Sequence, residues 1–237
     1  MCFSPGADAV VGGMVVVVGV DALRQVREPK QVLIASLPVL FGLHQLDEAF
    51  VWLGLQGRVA ESIERISIWG YLLFALALMP ALVPLAVLAV ERSPLRRRVI
   101  GLLALLGIGV GVSLGVSLFR GSVNAAIDGR YIAYDVSALS QGRQLTALYV
   151  VAACGALVAC SYRDLAALGL MNLVAVPVLM WLTVSGFVSL WCFWAAIVSV
   201  VIDLHLRRSA TETTTVRLRC PSESMRTSAS SAPDTRD

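Results

Sequence analysis

Residues 40–55 read LFGLHQLDEAFVWLGL, the second half of an apolar run that extends over 32–55. Crossing ~30 Å of hydrocarbon takes about 20 helical residues, so a run of this length can span a bilayer. Yet it carries His44, Gln45, Asp47 and Glu48 near or just beyond its middle. Insertion scales charge an aspartate about 3 kcal/mol at the centre of a spanning helix. Two adjacent carboxyls must therefore face a bundle interior or a wet cavity, or hold protons. At 100° per residue, His44, Gln45, Glu48 and Trp52 fall within an arc of about 100° centred close to Glu48, with Asp47 off one flank.

The rest of the chain supports a membrane setting. Of 237 residues, 57% are hydrophobic and only 15% charged, with a mean hydropathy of +0.79. A soluble domain carries about 25% charged residues, so this chain cannot coat a water-facing surface. An ordinary soluble enzyme, a disordered chain and a disulfide-rich secreted scaffold are excluded. The net charge of +3 does not suggest nucleic acid, because the basic residues punctuate apolar segments and form no stripe.

Apolar runs at about 8–25, 32–55, 67–90, 99–119, 145–162, 165–184 and 186–206 predict an all-α domain of seven transmembrane helices over 1–206. Connections on one side hold Arg24, Arg27, Lys30, Arg92, Arg96, Arg97, Arg98, Arg163, Arg207 and Arg208, ten basic residues. The other side holds five: Arg58, Arg65, Arg120, Arg130 and Arg143. The positive-inside rule then puts the N-terminus outside and the C-terminus in the cytoplasm. The outer loop 120–144, with Tyr131 and Tyr134, reads as a structured cap. The Ser/Thr/Arg-rich tail over 207–237 lacks the apolar content to offset its ordering entropy and is expected to be disordered.

With this topology Glu48 and Trp52 lie at a depth similar to Trp191 and Cys192 on the seventh helix, in the outer half. Cys2, Ser4, Tyr131 and Tyr134 lie above them. The expectation is one outward-facing polar pocket centred on Glu48, drawing on Cys2, Ser4, His44, Gln45, Asp47, Glu48, Trp52, Trp191 and Cys192. A proton, a metal or a small polar ligand would suit such a site; an interhelical hydrogen-bond clamp is the plain alternative. Two stripes read as packing surfaces. Gly107, Gly111 and Gly115 let helix backbones approach closely, within the bundle or across a homodimer or partner interface. Ala195, Ala196 and Ser199 line a small-residue face of the last helix.

Catalysis is not motivated. The two histidines, His44 and His205, fall on opposite halves of the membrane, too few and too far apart for a tri-histidine metallohydrolase or bis-histidine haem. There is no GxSxG elbow, HExxH or phosphate-cradling glycine loop. The cysteines form no CxxC pair, and their odd number suggests neither a zinc ribbon nor a disulfide framework. No motif names a metal or a cofactor. The partners expected are the lipid bilayer and, as a rival reading, a larger membrane complex in which the chain is an accessory subunit.

Met1 to Ser4, then Phe41, Gly42, Gln45, Glu48 and Trp52, then Trp191 to Ala196 with Ser199, together resemble a family of uncharacterised bacterial multi-pass membrane proteins that open Met-Cys-Phe-Ser. The resemblance covers about residues 1–206. It implies a helical bundle in the bacterial cytoplasmic membrane and no particular substrate. His44 stands where the family pattern has glutamine, Ala49 where it has glycine and Tyr131 where it tends to histidine. The resemblance therefore carries to Glu48, Trp52, Cys2 and Cys192 and not to His44 or Tyr131.

Overall fold

A computed structural model describes residues 4–129, 131–136, 143–182 and 194–208. Among these, seven helices and one two-stranded hairpin follow one another up and down the bundle: α1 (Pro5–Arg24), α2 (Val32–Leu55), α3 (Glu61–Val90), α4 (Pro94–Arg120), β1 (Val123–Asp128), β2 (Tyr131–Val136), α5 (Arg143–Ala159), α6 (Arg163–Leu182) and α7 (194–208). Four stretches are long and apolar enough to cross a membrane: Pro5–Arg24, Pro29–Leu55, Glu61–Val90 and Pro94–Arg120. The all-α expectation needs one correction, since the 120–144 cap contains a hairpin. Its signal was local: Asp128-Gly129 stands between alternating runs, Gly129 takes a positive φ of 60°, and Ile132, Tyr134 and Val136 alternate inward along β2. The expected third helix also gains two turns at its start, beginning at Glu61.

The closest pairing joins α1 to α2. Buried positions on α1 recur as Asp8, Gly12, Val15, Gly19 and Ala22, the small-residue stripe that lets two backbones meet. A side chain at Gly19 would strike the backbone of Pro38 and Val39, and one at Gly42 the backbone of Val16. Gly12 lies against Gly42 and Leu46. Pro38 lies inside α2, where it takes an N–H from the helical ladder beside this contact.

Helix α3 is interrupted by a π turn over Leu73–Leu78. There Met79 N–H donates to Phe74 O, five residues back. The next carbonyl in that register, Ala75, would face Pro80, which has no N–H. Tyr149 of α5 donates its hydroxyl to Ala75 O at 3.0 Å instead. A sequence irregularity thereby becomes a tertiary bond between α3 and α5. Tyr149→Phe leaves that carbonyl without its donor, and thermal melting should report a loss of about 1–2 kcal/mol; an unchanged melting temperature would show that the π turn closes its own hydrogen bonds.

Gly107, Gly111 and Gly115 of α4 lie on this same segment. A Cβ at 107 would collide with Pro80 O, one at 111 with Ala77 O, and one at 115 would sit 3.3 Å from Ala77 Cβ. Pro80 O is open to this approach because its normal helical donor, residue 84, is also proline. This glycine face packs inside the molecule. At the other end of the bundle, Ile34, Leu37, Val87, Ile100, Leu157, Leu168 and Ile202 close a core shared by α2 to α7. Ser199 is fully buried there and donates its hydroxyl to Ala195 O at 2.7 Å.

Candidate functional site

The contacts of α2 separate its polar residues into directions. Pro38, Gly42 and Leu46 face α1, while His44, Asp47 and Gly54 face α3. Glu48 and Trp52 fall on the arc between, and both are buried. Glu48 is 0% exposed and Gln45 2%. Gln45, Glu48 and Trp52 are thus buried, whereas His44 and Asp47 turn toward α3, where Asp47 accepts a hydrogen bond from Ser67.

The residue that sequence reasoning missed is Asp8. It is 0% exposed. The antiparallel register, with Gly19 at Pro38–Val39, Val16 at Gly42 and Gly12 at Gly42–Leu46, carries Asp8 to the level of residues 46–50. Two wholly buried carboxyls, Asp8 and Glu48, therefore occupy one level of adjacent helices. The available signal was spacing: Asp8 begins the stripe that continues through Gly12, Val15 and Gly19. It was obscured because Asp8 also stands in the first turn of a helix, where an acidic residue is favoured by the helix dipole.

Beside this level a run of aromatic rings connects α2 and α3 to the hairpin. His44 stacks on Tyr71 at a centroid distance of 4.1 Å and leans on Phe74 at 4.6 Å. Tyr71 stacks in turn on Tyr134 of β2 at 4.9 Å. Trp52, Tyr71, Ile132 and Tyr134 share one cluster, in which the buried Trp52 Nε1 has no hydrogen-bond partner among the described residues. Of the two loop tyrosines expected over the site, Tyr134 reaches it. Tyr131 donates to Asp128 at 2.9 Å, beside the hairpin turn.

Ser4 caps α1, its hydroxyl oxygen accepting from Ala7 N–H at 3.2 Å. Cys2, Trp191 and Cys192 lie outside the described residues. Among the described residues, no group of three or more His, Cys, Asp or Glu side chains is arranged to hold a metal ion. Cavities occur elsewhere among the described residues. One, apolar and about 140 Å³, lies among α2, α3, α5, α6 and α7; another, about 370 Å³, lies at the arginine-rich end. Glu48 lines neither.

That arginine-rich end holds a second buried carboxylate unforeseen from sequence. Glu91, between α3 and α4, is 3% exposed. Its carboxylate accepts from Ser93 N–H, Ser161 N–H and the Ser161 hydroxyl, each at 2.7 Å. Tyr162 donates to Val90 O, and Arg96 to Cys160 O. These bonds latch the α3–α4 connection onto the α5–α6 connection.

A family model, that of the family of unknown function DUF6629, matches residues 1–217. The chain belongs to this family. The DUF6629 match takes in every described element, and with them Asp8, Glu48, Trp52 and Glu91. No curated protein and no solved structure matches the chain.

Proposed function

We propose that this DUF6629 member is a seven-span protein of the bacterial cytoplasmic membrane, N-terminus outside, in which Asp8 and Glu48 form a proton-exchanging carboxyl pair. Three lines support the membrane reading. Four helices have spanning length and apolarity, and a shorter apolar helix, Gln144–Ala159, lies among the rest. Large apolar side chains stand exposed along whole helix faces, as with Leu102, Leu105, Val112 and Phe119 on α4, where lipid would cover them. All ten basic residues assigned to the inner side fall at one end of the bundle, which fits an N-out topology.

The observation that carries the functional reading is the burial of two carboxyls at one level of the adjacent helices α1 and α2. Two negative charges at one level of a low-dielectric bundle are costly, so holding a proton on one of them is the economical state. Gln45 and Trp52 offer amide and indole groups on the same side of α2, which would help a proton or a small polar solute enter and leave. The glycine face of α4 packs against α3.

Infrared spectroscopy of the purified full-length protein tests the pair, since a protonated carboxyl has a carbonyl stretch distinct from that of a carboxylate. The wild type should show a protonated-carboxyl band at neutral pH. Glu48→Gln and Asp8→Asn should each remove or displace that band while leaving the helical content intact. Folded variants with an unchanged band would make Asp8 and Glu48 a structural clamp.

A further inference from the structure

The polar and apolar cavities share one wall residue, Ile34, and their neighbouring chemistry suggests an occupant. The polar cavity at the arginine-rich end lies between the α1–α2 and α3–α4 connections, the start of α6 and the end of α7. Its charged lining comprises Arg27, Lys30, Arg92 and Arg97 against Glu28 and Glu91, a formal excess of two positive charges. Even that count understates the cavity's appetite for an anion. The Glu91 carboxylate is already occupied by three donors. Glu28 meets Arg92 only at 3.6 Å, through side chains that are both more than half exposed. Arg97 reaches the carbonyls of Leu88 and Glu91 at a long 3.4 Å.

The floor of this cavity is apolar, made by Ile34, Val90 and Leu206. Ile34 also lines the apolar cavity, whose walls include Val87 and Ile202, one helical turn deeper than Val90 and Leu206. A basic cavity at the bundle end thus lies one helical turn from an apolar one, with Ile34 between them. Free phosphate would satisfy only the basic cavity. A molecule with an anionic phosphate head and a hydrocarbon tail satisfies both.

We propose that the arginine-rich end is a binding site for an anionic phospholipid, with its phosphate among Arg27, Lys30, Arg92 and Arg97 and an acyl chain in the apolar cavity beyond Ile34. Basic pockets between helices on the cytoplasmic side recognise lipid headgroups by this chemistry. The site rests on the membrane reading above and is independent of the Asp8–Glu48 pair. Failure of the membrane reading would show separately, as a protein recovered from cells without detergent.

The test uses full-length protein delipidated in detergent, with retained lipid measured by mass spectrometry and protection by thermal melting. Three probes are compared: phosphatidylglycerol, phosphatidylcholine and inorganic phosphate. Phosphatidylglycerol should be retained and should raise the melting temperature, with the other two much weaker. Arg27→Gln/Lys30→Gln, whose side chains make no ion pair among the described residues, should melt like the wild type without lipid and bind phosphatidylglycerol roughly 30-fold more weakly. Equal retention of phosphatidylcholine, or undiminished phosphatidylglycerol binding by the double variant, overturns the proposal. Inorganic phosphate protecting as well as phosphatidylglycerol would overturn the lipid assignment in favour of a soluble phosphate ligand.

Discussion

Replacing Gly107 by alanine is expected to cost about 3 kcal/mol or more, an unusually large effect for one methyl group. Overpacking a core commonly costs 1–3 kcal/mol because side chains can rotate away. Here the new Cβ meets Pro80 O, with Pro80 C and Pro84 Cγ directly behind it. A backbone carbonyl held by two prolines has nowhere to turn, so α4 must back away from α3 along its length. Gly109 supplies the matched control: it stands two residues along the same helix, and a Cβ there meets nothing within 4 Å. Gly109→Ala should stay within about 0.5 kcal/mol of the wild type, as exposed substitutions do. Thermal melting and monodispersity in detergent read both variants. Similar behaviour of the two would mean that α3 and α4 do not meet at Pro80.

Glu91→Ala should be the second most damaging change, at about 3 kcal/mol or more. It leaves Ser93 N–H, Ser161 N–H and the Ser161 hydroxyl without their shared acceptor, and each orphaned donor costs roughly 1–3 kcal/mol when kept from water. Ser161→Ala removes one of these bonds and should cost about 1 kcal/mol. The carboxylate also has an acid signature. Burial alone would raise its pKa, but the Ser161 hydroxyl and the backbone N–H groups of Ser93, Ser161 and Arg92 outweigh burial and hold it below its ordinary 4.5. A depressed carboxyl stabilises the folded state fully above the unfolded value and loses that contribution as pH falls through the folded one. Melting temperature should therefore drop below about pH 4.5 in the wild type, and less steeply in Glu91→Gln. Parallel acid limbs in the two proteins would remove Glu91 from the latch.

The helical bundle was legible because hydropathy is a one-dimensional property. A run of apolar residues announces itself whatever it later packs against, and a carboxylate pair inside one announces that it must face inward. Glu48, Gln45 and Trp52 were found this way, as was the sideways placement of Asp47. The hairpin was legible in principle, since Asp128-Gly129 and the alternation over 131–136 are local signals. Its strands are only six residues each, too short for their alternation to stand out within a generally apolar chain.

What the sequence by itself determined is which segments are helical, where charge gathers at their ends, and that Glu48 turns inward. Only the tertiary structure decided the partners. The same glycine spacing serves equally for a dimer or for an internal neighbour, and the choice fell to Pro84, whose missing N–H leaves Pro80 O bare at the height of Gly107. Asp8 reads as a helix-start residue until the α1–α2 register brings it level with Glu48. Glu91 reads as a solvated loop residue until Ser161, seventy positions away, encloses it. Burial of a terminal or loop carboxylate depends on which distant backbone comes to rest beside it, and that is set by close packing in three dimensions, not by any local pattern.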